Sequence, residues 1–194
     1  MIGRRWMIAA LAAGGLTAGF GISRWQREGI AFFSSGSSGD ASSDPLRGPD
    51  GAPVAGSHLP DFEFTDQHGK AHRFSDFRDR PRLVNFWATW CPPCVHEIPI
   101  LISMQREYRE RGLQIIGIAS DRKDEAFPMA LEFDLNYPTM ADLGRSIDLL
   151  RAFESPSGGL PFSVFIDAEN EVRDRHTGDL SRAQAKEKIE ALFV

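Results

Sequence analysis

The stretch VNFWATWCPPCVHEIP, residues 84–99, contains both cysteines of the chain, Cys91 and Cys94. An apolar segment comes before the cysteines, and a segment with helical spacing of its apolar residues comes after them. The two thiols are therefore predicted to lie one helical turn apart, where a buried strand leads into a helix. Such a pair can belong to a metal site, a static cross-link or a redox couple, and the remaining residues distinguish these possibilities.

A closed zinc site is the first possibility, and the composition argues against it. Structural zinc is usually bound by four Cys or His ligands, commonly arranged as two pairs. The chain has 2 cysteines and 5 dispersed histidines, so we predict no metal site of this type. Two thiolates can also bind Cu(I), and His96 is close in sequence. Copper binding therefore stays open as an alternative.

A static cross-link between Cys91 and Cys94 is a weak interpretation. A disulfide stabilises a fold mainly by restricting the unfolded chain, and its effect grows with the length of the loop that it closes. Two residues separate these cysteines, so the bond would close almost no loop. The chain also lacks the several cysteine pairs on which small exported domains depend.

A redox couple uses every feature of the motif. The first cysteine, at the start of a helix, is close to free N–H groups and to the positive end of the helix dipole, which lower the pKa of its thiol. The second cysteine is placed to attack a mixed disulfide and release the product. Pro92 and Pro93 suit the first helical turn, where a missing N–H costs little. We therefore predict that Cys91 is the nucleophile and Cys94 the buried resolving thiol.

The rest of the folded region predicts an α/β domain. Apolar–polar alternation around the turn at 67–70 predicts a short hairpin. Pro128 is unfavourable inside its helix, so we expect a late start or a kink there. Asp179 or Ser181 is predicted to cap the last helix. Strands are expected at 82–88, 113–119, 162–167 and 171–178, and helices at 91–112, 121–135, 143–153 and 181–193.

The overall charge argues against nucleic acid as a partner. The formal net charge is −5, and the sequence pI is about 5.5. No long basic run or basic–aromatic alternation is present that could follow a phosphate backbone.

The first 28 residues have the pattern of a membrane anchor or an export signal. Arg4 and Arg5 precede an uncharged, mostly apolar run at 6–22, and Arg24 follows it. We favour an uncleaved anchor over a cleaved signal, with the twin-arginine export route as a further possibility. The segment 1–28 is therefore expected to attach the protein to a membrane.

A linker is predicted between this segment and the folded domain. Residues 29–57 include SSGSSGDASSDP and GPDGAP, which cannot bury enough apolar surface to offset the entropy of ordering. This composition predicts a flexible tether. The folded domain is expected to occupy residues 58–194.

The motif FWATWCPPC between a strand and a helix resembles the active site of thioredoxin-fold proteins. The segments LPDF, a GK turn, LVNFWATWCPPC, YP and GGLPFSVFID occur in that order from residue 59 onward. More narrowly, the chain is similar to the TlpA/ResA/CcmG group of membrane-tethered extracytoplasmic thiol–disulfide oxidoreductases. The resemblance implies a thioredoxin-like α/β fold, with a central mixed sheet, helices on both faces and an extra N-terminal hairpin.

The resemblance also implies roles for residues outside the cysteine motif. Pro161 matches the cis proline that faces the cysteine pair in this fold, and it would leave the Leu160 backbone free to pair with an extended client segment. Glu97 matches a carboxylate that takes the proton of Cys94 in this group, in which Asn85 replaces the buried acid of thioredoxin itself. Both roles are expectations from the family.

Four residues are expected to contact clients: Trp90, Pro92, Pro93 and Leu160. We expect clients with disulfides or thiols, of the cytochrome c or copper-site maturation type, and electrons from a membrane dithiol protein. No organic cofactor is implied. The expected location is the bacterial inner membrane, with the catalytic domain in the periplasm. Reduction of client disulfides is the preferred activity; disulfide donation, Cu(I) handling and a redox-inert binding module are the alternatives.

Overall fold

The computed structural model describes residues 59–194, so the predicted anchor at 1–28 and linker at 29–57 lie outside the described residues. Seven strands and four α-helices follow one another within residues 59–194. The strands are β1 (Glu63–Thr65), β2 (Ala71–Arg73), β3 (Arg82–Trp87), β4 (Gln114–Ala119), β5 (Thr139–Ala141), β6 (Phe162–Ile166) and β7 (Val172–Thr177). The helices are α1 (Pro92–Tyr108), α2 (Lys123–Glu132), α3 (Leu143–Ala152) and α4 (Arg182–Glu190).

Five strands form a mixed sheet in the order β5-β4-β3-β6-β7. Strand β3 lies at its centre, parallel to β4 and antiparallel to β6. All six residues of β3 are buried, as its mostly apolar sequence predicted. Strands β1 and β2 pair separately as the predicted N-terminal hairpin.

Helices cover both faces of the sheet. Alternate residues of β3 point to opposite faces, so Leu83 and Trp87 pack among buried residues of α1, α2 and α4. Val84 and Phe86 pack on the other side, among residues of α3 and the hairpin. The predicted thioredoxin-like arrangement, a mixed sheet with helices on both faces and an added hairpin, is confirmed.

The structure corrects two details of the predicted elements. The short edge strand β5 was missed, because the sequence after Pro138 was interpreted as a connection to the next helix. Helix α2 begins at Lys123 rather than Asp121, but Pro128 still lies in its interior, so the slightly later start does not bring the proline to the first turn as expected. The cap of α4 is Ser181, whose side chain accepts a hydrogen bond from the Gln184 N–H.

Gly117 allows the close approach of β4 and β5. A Cβ at this position would lie 2.3 Å from Thr139 Oγ1 and 2.8 Å from Thr139 Cβ. Thr139 is itself fixed by the indole N–H of Trp87, which donates to its hydroxyl over 3.2 Å. The contact is therefore with a buried side chain that has no room to move.

Gly117→Ala is expected to lower the free energy of unfolding by about 1–3 kcal/mol, the usual effect of overpacking a core. Urea denaturation measures the change. Gly144→Ala is the matched control, because its Cβ would meet only Asp142 Oδ1 at 3.8 Å and the glycine lies in α3. The control should be neutral or slightly stabilising. Equal unfolding midpoints for Gly117→Ala and the unsubstituted protein would contradict the steric argument.

Candidate active site

The two cysteines form a disulfide at the junction of β3 and α1. Cys91 is the residue that caps α1, and Pro92 and Pro93 occupy the first two helical positions. The bond joins Cys91 to Cys94 with 5.3 Å between their Cα atoms. Cys91 retains 5% of its accessible surface, whereas Cys94 retains none. This difference agrees with the predicted roles of nucleophile and resolving thiol.

The prolines limit the N–H groups available at the start of α1. Pro92 and Pro93 have no N–H, and the Val95 N–H already donates to the Cys91 carbonyl over 3.1 Å. The Cys94 N–H is thus the first donor of the helix. A thiolate at Cys91 would be stabilised by this single donor and by the helix dipole. This is fewer N–H groups than the sequence-based prediction of several free donors at the helix start.

The loop before the disulfide is fixed to the neighbouring strand. The Thr89 N–H donates to the Asp121 carboxylate over 2.7 Å, and Asp121 is almost fully buried. The Ser120 N–H donates to the Trp87 carbonyl over 2.8 Å. The ends of β3 and β4 are therefore held together beside the cysteines. Sequence reasoning did not find Asp121, although an acid directly after a buried parallel strand is a usable signal.

Glu97 is buried beneath the helix start, with 1% of its surface exposed. Its Oε1 accepts a hydrogen bond from the Asn85 amide over 2.6 Å, and its Oε2 accepts one from the Leu180 N–H over 2.9 Å. Burial raises the pKa of Glu97 to about 7, although these two hydrogen bonds oppose the shift and the charge of Asp179 adds to it. This burial excludes a solvent-exposed position for the Glu97 side chain.

The position of Glu97 suits the transfer of a proton near neutral pH. Cys94 and Glu97 are three residues apart on α1, so their side chains share one side of the helix. A carboxyl group that titrates near pH 7 can exchange a proton with a thiol at little cost. The catalytic role of Glu97 stays a prediction.

Asn85 links Glu97 to the strand on the other side of β3. Its amide Nδ2 donates to Glu97 Oε1 and, over 3.1 Å, to the hydroxyl of Ser163 on β6. Its Oδ1 is buried without a hydrogen-bond partner among residues 59–194. Ser163 and the Leu180 N–H were not found from the sequence, because each joins the site from a distant part of the chain.

The Leu160–Pro161 peptide bond is cis, as the resemblance implied. Phe162 pairs with Phe86 near the end of β3, so the register places Pro161 at the same end of the sheet as the cysteines. The Leu160 N–H and carbonyl have no hydrogen-bond partner within the described part of the chain. This backbone is therefore available to an extended segment, although binding of a client there stays a prediction.

The remaining predicted contact residues differ in accessibility. Trp90 has 65% of its surface exposed and lies directly before Cys91. Pro92 is exposed and Pro93 is half-buried. His96 is also exposed. An apolar surface therefore borders the disulfide, and its use by clients stays a prediction.

Residues 59–194 contain neither a candidate metal-binding cluster nor a membrane-spanning helix. No group of three or more His, Cys, Asp or Glu side chains in this range could hold a metal ion. None of the helices in this range is long and apolar enough to cross a membrane.

Comparisons with known proteins agree with this geometry. Residues 55–175 match the model of the AhpC/TSA family. The chain is 32% identical over 142 residues to the thiol–disulfide oxidoreductase ResA of Geobacillus kaustophilus, covering 73% of this chain and 79% of the relative. It is 31% identical to the ResA of Geobacillus thermodenitrificans, with the same coverage of 73% and 79%.

A solved structure supports the same assignment. The thiol:disulfide interchange protein of the thioredoxin family from Chlorobium tepidum has a TM-score of 0.64 and 28% sequence identity, covering 74% of this chain and 100% of that one. Family, fold and the Cys91–Cys94 pair therefore agree, and the chain belongs to the AhpC/TSA family as a thiol–disulfide oxidoreductase of the ResA type.

Proposed function

We propose that this oxidoreductase reduces disulfides in client proteins outside the cytoplasm. The observation that carries the proposed thiol–disulfide exchange is the burial of Glu97 on α1, one turn after Cys94 on the same helix. In a reducing cycle the Cys91 thiolate attacks the client disulfide, and Cys94 then attacks the mixed disulfide. The second attack requires Cys94 to lose its proton, and a carboxyl group whose pKa is about 7 can accept it.

Electrons and protons balance in this cycle. The Cys91 sulfur forms a bond with one client sulfur, and the other client sulfur leaves as a thiolate that takes up a proton. Cys94 then bonds to Cys91, and the second client thiol is released. The enzyme ends as the Cys91–Cys94 disulfide, the form that the structure shows. A membrane dithiol protein would return it to the dithiol form, and no organic cofactor is needed.

The location and client follow from other features. An apolar run at 6–22 behind two arginines supports an N-terminal anchor in the bacterial inner membrane, and the polar linker at 29–57 supports a tethered periplasmic domain. The relatives named thiol–disulfide oxidoreductase ResA support proteins with disulfides or thiols as clients, and clients of the cytochrome c or copper-site maturation type are proposed from the family resemblance. Carbonate extraction of membranes tests the anchor, because recovery of the full chain in the supernatant would contradict it.

The reduction potential of the full chain tests the direction. We expect a potential well below about −180 mV, the value of an isomerase-type couple, when the protein is equilibrated with a dithiothreitol series and its thiols are trapped. A potential near about −120 mV, typical of a strong oxidant, would instead support disulfide donation. Absence of a reversible couple would contradict redox function and make Cu(I) titration the next measurement.

A further inference from the structure

A cavity of about 590 Å³ lies at the end of the sheet opposite the disulfide. Arg82, the first residue of β3, lines this cavity, whereas Cys91 lies four positions after Trp87, the last residue of the same strand. Phe74, Arg78 and Asn170 also line it. The cavity is therefore separate from the thiol chemistry, and what it binds does not depend on the proposed function.

Arg82 is a buried cation at the wall of the cavity, with 1% of its surface exposed. Its guanidinium donates from Nη2 to Asn170 Oδ1 over 2.6 Å and lies 5.0 Å from the centroid of the Phe74 ring. Both partners line the cavity, which places the guanidinium there. The Nε of Arg82 is buried without a hydrogen-bond partner among residues 59–194.

No carboxylate within the described residues forms an ion pair with Arg82. Asp167, the nearby acid at the end of β6, is occupied by Arg173 and by the Glu171 N–H. Burial, together with a smaller effect of the positive charge of Arg78, lowers the pKa of Arg82 to about 10, although the charges of Asp167 and Asp79 oppose this shift. A buried charge is unfavourable unless it is paired, and Arg82 has only the more distant charges of Asp167 and Asp79, with no carboxylate of the described residues in direct contact.

Three acids also line the cavity, and none of them neutralises the arginines. Asp61 accepts the Ser75 N–H and pairs with Arg73. Glu169 and Glu171 are exposed, and neither forms an ion pair in the described range. Their negative charge at the cavity opposes an anion, so neutralising either glutamate should strengthen anion binding.

We propose that the cavity binds a small oxyanion, a phosphate or carboxylate group, through Arg82 at its wall and Arg78 at its rim. The planar guanidinium presents N–H donors in a fork that matches these groups. An oxyanion would supply the missing acceptor of Arg82 Nε and a counter-charge in direct contact. Arg78 is exposed and has no ion-pair partner within residues 59–194, so its guanidinium is free to close over the ligand.

Thermal unfolding of the full chain tests the site with inorganic phosphate as the probe. A ligand that binds only the folded state raises the unfolding temperature as its concentration rises. We expect a higher unfolding temperature in phosphate or in acetate than in chloride at equal ionic strength. A larger response to phosphate identifies a phosphate-bearing ligand, and a larger response to acetate identifies a carboxylate. Equal unfolding temperatures in all three salts would overturn the proposal.

Variants separate a specific site from general charge effects. Arg78→Gln should weaken the apparent affinity about tenfold, the usual effect of losing a charged hydrogen bond. Arg82→Met should abolish the response and raise the unfolding temperature in chloride, because it removes an unpaired buried charge. Glu169→Gln should strengthen the response.

Arg106→Gln is the matched control, since Arg106 is exposed on α1 and outside the cavity. It changes the net charge as Arg78→Gln does, and it should leave the phosphate response unchanged. Arg78→Gln replaces an exposed side chain, so it preserves the test if Arg82→Met does not fold. An equal loss of response in Arg78→Gln and Arg106→Gln would overturn the proposal.

Discussion

Cys94→Ser is expected to convert the reduced protein into a stable covalent trap for its clients. Cys91 would still attack a client disulfide, but no second thiol would displace the client from the mixed disulfide. Attack by a neighbouring thiol corresponds to an effective concentration of about 10⁵ M or more, so its loss should slow release by more than about 1,000-fold. A disulfide-containing peptide followed by mass spectrometry under non-reducing conditions would show the persistent adduct.

Cys91→Ser provides the control for this trap. Cys94 has no exposed surface in the structure, whereas Cys91 has 5%, so the variant that keeps only Cys94 should form little or no adduct. Each variant retains one thiol, which makes their thiol content equal. Adduct formation by Cys91→Ser but not by Cys94→Ser would reverse the assignment of nucleophile and resolving thiol.

Glu97→Gln is expected to slow the release step by about 100-fold at pH 7.5, the lower range for losing a positioned general base. Only the carboxylate form can accept the Cys94 proton. Because the pKa of Glu97 is raised to about 7, the release rate of the unsubstituted protein should increase as the pH rises through 7 and then level off. The variant should lose this inflection. Single-turnover fluorescence of Trp90, beside Cys91, can follow the reaction.

The glutamine variant should retain the fold. Its carbonyl can accept the Leu180 N–H, and rotation of the Asn85 amide would offer the unpaired Oδ1 to the new amide N–H. Glu110→Gln is the matched control, because Glu110 is exposed after α1. The control should keep both the rate and its pH dependence. If Glu97→Gln shows the same inflection near pH 7, another group transfers the proton.

Local pattern was sufficient to predict the central elements of the fold. Strand β3 is mostly apolar, and α1 has prolines at its start and apolar residues at helical spacing. Strand β5 was missed because its three residues become a strand only by pairing with Gly117–Ala119 of β4, a contact that no local pattern reports. Short edge strands depend on such tertiary pairing.

The candidate site shows the same division. The cysteines and Glu97 lie within seven residues of one another, so their spacing on one helix could be read directly. The Leu180 N–H, which donates to Glu97, could not be predicted, because it is 83 positions away in sequence. Arg82 was expected only as the first residue of a buried strand, and its isolation from carboxylates became visible only in three dimensions.

The free backbone of Leu160 has a consequence for how clients would be chosen. The Leu160 N–H and carbonyl can bond to the backbone of any client residue, except that a proline has no N–H to donate. This pairing therefore does not depend on the side chains of the client. Cys91 is nearly covered, so a client sulfur must protrude on an extended stretch to reach it. Selection would then depend on how easily a client segment adopts an extended conformation. A client that has folded would no longer be a substrate.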